Sequence, residues 1–278
     1  MNHAWACVLA LFFVGCGRPL DLGTDIIWST DFEEGGLASV RTSPGAGGIY
    51  ISDAGDSSVV LTTEHAHSGR YSVKITSSAA LPDPGNYPPG GGGGGIYKTG
   101  AFPKAAYYSA WYYLPTSYTT TTPWIILAFL PGVPERDQDA GASGLTPLLQ
   151  LSLESQVNGT MTLLLTDPNR LDLSSTLPVP PPIVVPGRWF QLEAFYRNDI
   201  SSSGHFTVWF NGTQIYDVAR STNTPIGDGG QNPDVYFMPC SLVVQLGPAK
   251  ADVAEIYIDD VAISWTRVTP QGVLQVPQ

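Results

Sequence analysis

The chain has 278 residues, of which 43% are hydrophobic and only 13% are charged, against roughly 25% charged in an average soluble domain. That much apolar material excludes disorder as the main state. Lys and Arg number 13 against 24 Asp and Glu, a net charge of −11. Without clustered cations such a chain does not track a nucleic-acid backbone, so nucleic acid is excluded as a main partner.

In chain order, the first feature is an apolar run over residues 4–14. It is too short for a membrane-spanning helix, which needs about 20 residues, and it fits the apolar part of a secretory signal. It ends in Phe13-Val14-Gly15-Cys16, which resembles a bacterial lipobox, with Phe13 where Leu is commoner and no Lys or Arg in Met1-Asn2-His3. The resemblance implies a signal peptide over 1–15, lipidation of Cys16 and a tether over 16–24. An ordinary signal peptide cut nearby is the alternative. Either way the expectation is export, to the outer membrane or cell surface if lipidated and to the periplasm or medium if not. The only membrane contact expected is through the lipid. Of the three cysteines, Cys7 and Cys16 lie in this leader, so Cys240 has no body partner for a disulfide and reads as a small buried apolar residue.

The body reads as strands separated by turn clusters. The expected strands are Ile26–Phe32, Ser58–Thr62, Tyr71–Thr76, Ala106–Leu114, Trp124–Leu130, Leu148–Glu154, Thr160–Thr166, Trp189–Arg197, His205–Phe210, Gln214–Val218, Ser241–Leu246 and Glu255–Ser264. Asn211-Gly212 predicts a two-residue hairpin, because both central positions want positive φ. Leu81–Gly95 reads as a Pro-rich, then Gly-rich loop, and Leu177–Pro186 as a polyproline II connector. With 30 Gly, 24 Pro and no stretch of 3.6 periodicity, the prediction is one all-β domain over 25–268. The expected architecture is an antiparallel β-sandwich, with 269–278 as a tail.

Five segments then resemble one fold group: Asp31-Phe32-Glu33-Glu34-Gly35, His67-Ser68-Gly69-Arg70-Tyr71-Ser72-Val73, Gly187-Arg188-Trp189-Phe190-Gln191-Leu192, Val208-Trp209-Phe210-Asn211-Gly212 and Ile256-Tyr257-Ile258-Asp259-Asp260-Val261. In this order they resemble the concanavalin A-like lectin/glucanase superfamily, which includes laminin-G-like domains, carbohydrate-binding modules and heparin-lyase-like polysaccharide lyases. The resemblance implies a jelly roll of two curved antiparallel sheets that meets glycans on its concave face. It also implies a structural Ca²⁺, with Glu33 and Asp259 at matching positions and Asp31 nearby. Ordinary turn capping by those carboxylates is the alternative.

Alternation along the strands offers one apolar and one wet face. Sugar recognition needs flat apolar rings flanked by planar polar groups. The wet faces supply Tyr107, Trp111 and Tyr113, then Gln150 and Glu154, then Gln191 and Glu193. For hydrolysis, two carboxyls about 5–10 Å apart are needed, and Glu154 with Glu193 is the expected pair if their strands are adjacent. The Glu-x-Asp-x-x-Glu cluster of the superfamily's glucanases is absent. For elimination on a uronate, a carboxylate must be neutralised and a base supplied, and Arg197, Gln191, His205 and Tyr107 are of suitable type. A charge of −11 argues against a polyanionic substrate. His65-Ala66-His67 is a polar turn or the start of a metal site. The function expected on these grounds is carbohydrate binding without chemistry. A polysaccharide lyase or glycoside hydrolase on the same fold, and a structural or protein-binding surface module, are the alternatives.

Overall fold

The computed structural model describes residues 25–35, 37, 49–54, 58–78, 93–98, 103–118, 124–130, 149–156, 160–166, 180–199, 201–222, 234–237, 240–241, 253–268 and 274–275. Its strands in chain order are β1 Ile26–Thr30, β2 Ile49–Ala54, β3 Ser58–Thr62, β4 Ser72–Ser78, β5 Gly93–Lys98, β6 Ala105–Tyr113, β7 Trp124–Leu130, β8 Leu149–Ser155 and β9 Met161–Thr166. They continue as β10 Ile183–Val184, β11 Trp189–Arg197, β12 His205–Phe210, β13 Thr213–Ala219, β14 Asp234–Phe237, β15 Cys240–Ser241, β16 Val253–Ser264, β17 Arg267–Val268 and β18 Leu274–Gln275. No helix occurs among the described residues, and none is long and apolar enough to cross a membrane.

Every pairing is antiparallel. The first sheet runs β13-β12-β11-β6-β16-β4-β3 with β1 beside β16. The second runs β10-β9-β8-β7-β14-β5-β15 with β2 beside β5. The sheets stack as the expected β-sandwich around one apolar core. Period-two alternation decides which residues enter that core. On β11, Phe190, Leu192, Ala194 and Tyr196 are buried there, as are Tyr108, Ala110 and Tyr112 on β6 and Leu149, Leu151 and Leu153 on β8. The Tyr216 hydroxyl ties the sheets directly, donating to the Leu163 carbonyl at 2.6 Å.

Some expectations need correction. The Gly-rich run does not remain loop to its end: Gly93, Gly94 and Gly95 open β5 and pair with Ala54, Asp53 and Ser52. Glycine weakens a strand but keeps both backbone hydrogen-bonding groups, and a central position between two partners supplies the missing order. Within the expected polyproline connector, Ile183 and Val184 pair with Thr162 and Met161. Within the expected tail, Leu274-Gln275 pairs with Arg267-Val268. Strands β2 and β14 lay outside the sequence reading because their runs are short and enclosed by turn residues. The leader, with Cys16, lies outside the described residues.

Asn211 and Gly212 hold φ of 49° and 80°, as the hairpin between β12 and β13 requires. Asn211 does more than turn the chain. Its side-chain oxygen accepts from Gln191 N–H at 2.8 Å, and its own N–H donates to the Gln191 carbonyl at 3.0 Å. Asn211→Ala removes the first bond and the residue type that tolerates positive φ. The variant is expected to lose about 1–2 kcal/mol, measured as a lower denaturant midpoint at unchanged slope.

Candidate functional site

Residues that alternate away from the core form the outward face of each sheet. On the first sheet, β6 contributes Tyr107, Ser109, Trp111 and Tyr113, and β11 contributes Trp189, Gln191, Glu193, Phe195 and Arg197. The register pairs them as Tyr113–Trp189, Trp111–Gln191, Ser109–Glu193 and Tyr107–Phe195. Six of the sequence candidates are therefore brought together here: Tyr107, Trp111, Tyr113, Gln191, Glu193 and Arg197. His205 follows opposite Arg197 on β12.

Most of this face is already occupied by the chain itself. The β3–β4 connection lays His67 on Trp111, stacked at 3.7 Å between ring centroids, and His65 on Tyr113 at 4.3 Å. His65 also meets Tyr257 edge-on at 4.8 Å. Beside them, Glu64 accepts from the Tyr257 hydroxyl at 2.6 Å and pairs with Lys74 at 3.0 Å. Two of the three rings chosen from the sequence as sugar platforms, Trp111 and Tyr113, thus each carry an imidazole on one face. The histidines sit in a connection rather than on a strand, and besides its stacking His67 Nδ1 lies 2.6 Å from Asp260 Oδ2.

The middle of the face is covered by the segment after β16. Glu193, only 1% exposed, accepts from Arg267 Nε at 2.8 Å and from Val268 N–H at 2.5 Å. Gln191, also 1% exposed, donates to the Val268 carbonyl at 2.8 Å and to Ser109 Oγ at 3.0 Å. The Arg267 guanidinium lies 4.1 Å from the Trp209 ring centre, a cation–π contact. Burial pushes the Glu193 carboxyl up from its ordinary value, and Arg267 pulls it partly back. Among the described residues, these groups spend their polar atoms holding β17 in place.

The second sheet holds the other candidates. Glu154 and Glu193 are not on adjacent strands: β8 and β11 belong to different sheets, so the carboxyl pair expected for hydrolysis does not form. On β8, Gln150, Ser152 and Glu154 alternate with the core leucines and face away from them. Gln150 and Ser152 are nevertheless shielded, at 4% and 1% exposure, and Ser152 Oγ has no hydrogen-bond partner among the described residues. Glu154 is half-buried beside Gln156, whose amide donates to Thr162 Oγ1 at 2.8 Å. The Gln150 register row continues across the sheet: Thr166–Gln150–Ala128–Tyr236–Tyr97–Tyr50. That tyrosine row was not legible in the sequence, because β2 and β14 were not recognised as strands.

Two of the three carboxylates matched to calcium, Glu33 and Asp259, hold one connection. Glu33 Oε1 accepts from Arg70 N–H at 2.7 Å and Tyr71 N–H at 2.6 Å. Asp259 accepts from the His67 and Ser68 amides at 2.8 and 3.2 Å. Both therefore grip the same β3–β4 connection, whose Gly69 turns at φ +57° hard against the Glu33 carboxyl. Asp31 stands apart, exposed and capping its own turn through Glu33 N–H at 3.2 Å. No group of three or more His, Cys, Asp or Glu suited to a metal occurs among the described residues.

No protein-family profile matches the chain, and no curated protein matches it in sequence. Solved structures do. It is similar to an endo-β-1,4-glucuronan lyase from the fungus Trichoderma reesei, with TM-score 0.57 and 14% identity over 78% of this chain and 90% of that one. It is also similar to a GH131 β-glucanase catalytic domain from Podospora anserina, with TM-score 0.56 and 15% identity over 88% and 97%. A third is the cellulose induced protein Cip1, with TM-score 0.52 and 21% identity over 87% and 99%. The chain shares their fold. That agrees with the concanavalin A-like architecture expected from the five segments, and two of these three neighbours are enzymes of polysaccharides.

The clamp on Glu193 generates a prediction. Glu193→Ala leaves Arg267 half-buried without its carboxylate and frees Val268 N–H. A loss of about 3 kcal/mol is expected, read as a fall in the melting midpoint. A catalytic Glu193 would instead lose turnover at an unchanged midpoint.

Proposed function

We propose that the protein cleaves a uronate-containing polysaccharide by elimination, on the outward face of the second sheet. The observation that carries this is the shielded polar row on β8, where the Ser152 hydroxyl beside Gln150 has no partner among the described residues. A hydroxyl so placed, facing away from the core, calls for a partner, and a substrate chain supplies one. The likeness to a glucuronan lyase and a β-glucanase over most of each chain supports polysaccharide as that substrate. It favours cleavage over the binding-only reading. Elimination is favoured over hydrolysis because hydrolysis takes two carboxyls and the pair that the sequence offered, Glu154 and Glu193, falls on different sheets.

The chemistry asked of the site is modest. A base removes the proton from the carbon next to the uronate carboxyl, the bond to the neighbouring glycosidic oxygen breaks, and that oxygen takes up a proton. An unsaturated sugar remains at the new chain end. Gln150 donates hydrogen bonds to the uronate carboxylate and stabilises the charge that develops there. Its register row holds Tyr236 two strands away, about 10 Å at a strand spacing of about 4.8 Å, and a tyrosine is of the type that carries such proton transfers. The charge of −11 repels a polyanion at long range, and salt screens that repulsion beyond about 8 Å at physiological strength.

The chain is expected to raise the ultraviolet absorbance of a polyglucuronate or alginate solution as unsaturated ends form. Gln150→Ala should lower kcat about a hundredfold, and the wild-type rate should rise with salt at low ionic strength. New reducing ends without the absorbance change would assign hydrolysis, and an untouched polymer panel would overturn the reading. Export and lipidation stand beside this proposal. Labelled palmitate incorporated by the wild type and not by Cys16→Ser would support the anchor.

We also propose a structural Ca²⁺ at the Glu33–Asp259 junction. Asp259 is fully buried and Asp260 nearly so, and burial, then the Asp260 charge, pushes the Asp259 carboxyl up to about 7. Two adjacent buried carboxylates are a charge that a cation relieves, and Ca²⁺ completes its shell with backbone carbonyls. In EDTA, the folded protein keeps the Asp259 proton between 3.8 and about 7 while the unfolded chain releases it, so stability falls as pH rises through that window. Added Ca²⁺ is expected to raise the melting midpoint at pH 7.5 and to flatten this dependence. An identical midpoint in Ca²⁺ and EDTA would leave the carboxylates as turn caps.

A further inference from the structure

The first sheet's outward face is covered by the β3–β4 connection at one end and by β17 in the middle, and among the described residues nothing covers its β11–β12–β13 end. Phe195 stands there half-buried, 5.0 Å from the Tyr107 ring and 6.2 Å from the His205 ring. The exposed Arg197 guanidinium lies 6.0 Å from the Phe195 ring centre. Next to it, His205 Nε2 is hydrogen-bonded to Asp217 Oδ1 at 2.5 Å, and Thr207 Oγ1 donates to the same oxygen at 2.9 Å. The His205 and Asp217 side chains are 35% and 51% exposed, and Asp217 Oδ2 has no partner among the described residues. Tyr107, Phe195, Thr207 and Asp217 lie in one register row across four strands, a track of about 14 Å at the usual strand spacing.

We propose that this track is a second, non-catalytic site that binds a pyranose chain through its ring face and vicinal hydroxyls. The Phe195 ring takes the C–H face of a sugar. The Asp217 carboxylate, already oriented through Oδ1 by His205 and Thr207, accepts from hydroxyls with Oδ2. The Arg197 fork donates to ring and hydroxyl oxygens. A protein partner fits less well, because one apolar ring within a polar rim is too little for the apolar centre of a stable interface. The site lies on the sheet opposite the proposed cleavage face, so one polymer strand can be held while another part is processed. None of the residues involved closes the core, which is why the fold does not account for the arrangement.

The test is affinity electrophoresis of the full chain through gels containing a neutral β-glucan, a xylan or a polyglucuronate, with cleavage of the soluble polymer assayed in parallel. The expected result is retardation by at least one polymer, weakened about tenfold in Phe195→Ala and in Asp217→Asn, with cleavage of short oligosaccharides unchanged in both. Gln150→Ala should show the reverse: cleavage lost and retardation kept. Melting midpoints establish folding, and if Phe195→Ala does not fold, the exposed Asp217→Asn decides alone. Retardation without cleavage in the wild type would keep this site and remove the enzymatic reading. Wild-type mobility unaffected by all three polymers, or undiminished retardation in the folded variants, would overturn the site. Loss of cleavage together with retardation in Phe195→Ala, with Gln150→Ala still active, would make this the catalytic face and overturn the proposal.

Discussion

A buried carboxylate decides what this sandwich can offer to a ligand. Glu193 lies on a central strand of the first sheet, on the side turned away from the core, where water would normally solvate it. An ion taken out of water is expensive unless paired and hydrogen-bonded. Here Arg267 and the Val268 amide fill both oxygens, while Gln191 holds the Val268 carbonyl. The segment after β16 is pinned across the middle of the sheet as a result, and the face is divided into a closed half and an open end.

The closed half follows from a second set of anchors. Glu33 and Asp259 each accept two amides of the connection between β3 and β4, which brings His65 and His67 down onto Tyr113 and Trp111. Stacked rings of this kind add modestly to the area they bury, so the carboxylate grip sets the position and the stacking follows. The backbone departs from regular strand at the same place. Phe32 and Asp260 both hold positive φ, at 60° and 45°, and such conformations persist in bulky residues only where surrounding contacts require them. Phe32 is held by burial of its ring and Asp260 by His67 and Ser68.

With the first sheet largely occupied by its own chain, the second becomes the more open question. Its strands β5, β8 and β14 each follow a long stretch of sequence, whereas β11 to β13 of the first sheet are joined by short turns. Gln150 and Ser152 on β8 add polar groups that the core does not need. A division of labour between two faces, one processing and one holding, is the functional picture that the two sheets suggest together.

The sequence by itself determined the fold class, the antiparallel sandwich and the inward residues of the strongly alternating strands, because period two along a strand leaves little freedom about which side is apolar. It also determined the Asn211-Gly212 hairpin, where the backbone demand is local. It did not reveal that Gly93–Gly95 pairs, since the partners lie far away in the chain, nor the register that aligns Gln150 with Tyr236, Tyr97 and Tyr50. Tertiary structure alone separated Glu154 from Glu193, closed Trp111 and Tyr113 beneath histidines, and turned Gln191 and Glu193 from wet-face candidates into anchors for β17. Alternation states which side of a strand a residue occupies. Which sheet the strand joins, and what then covers that side, depends on contacts between residues up to 241 positions apart, which no local pattern encodes.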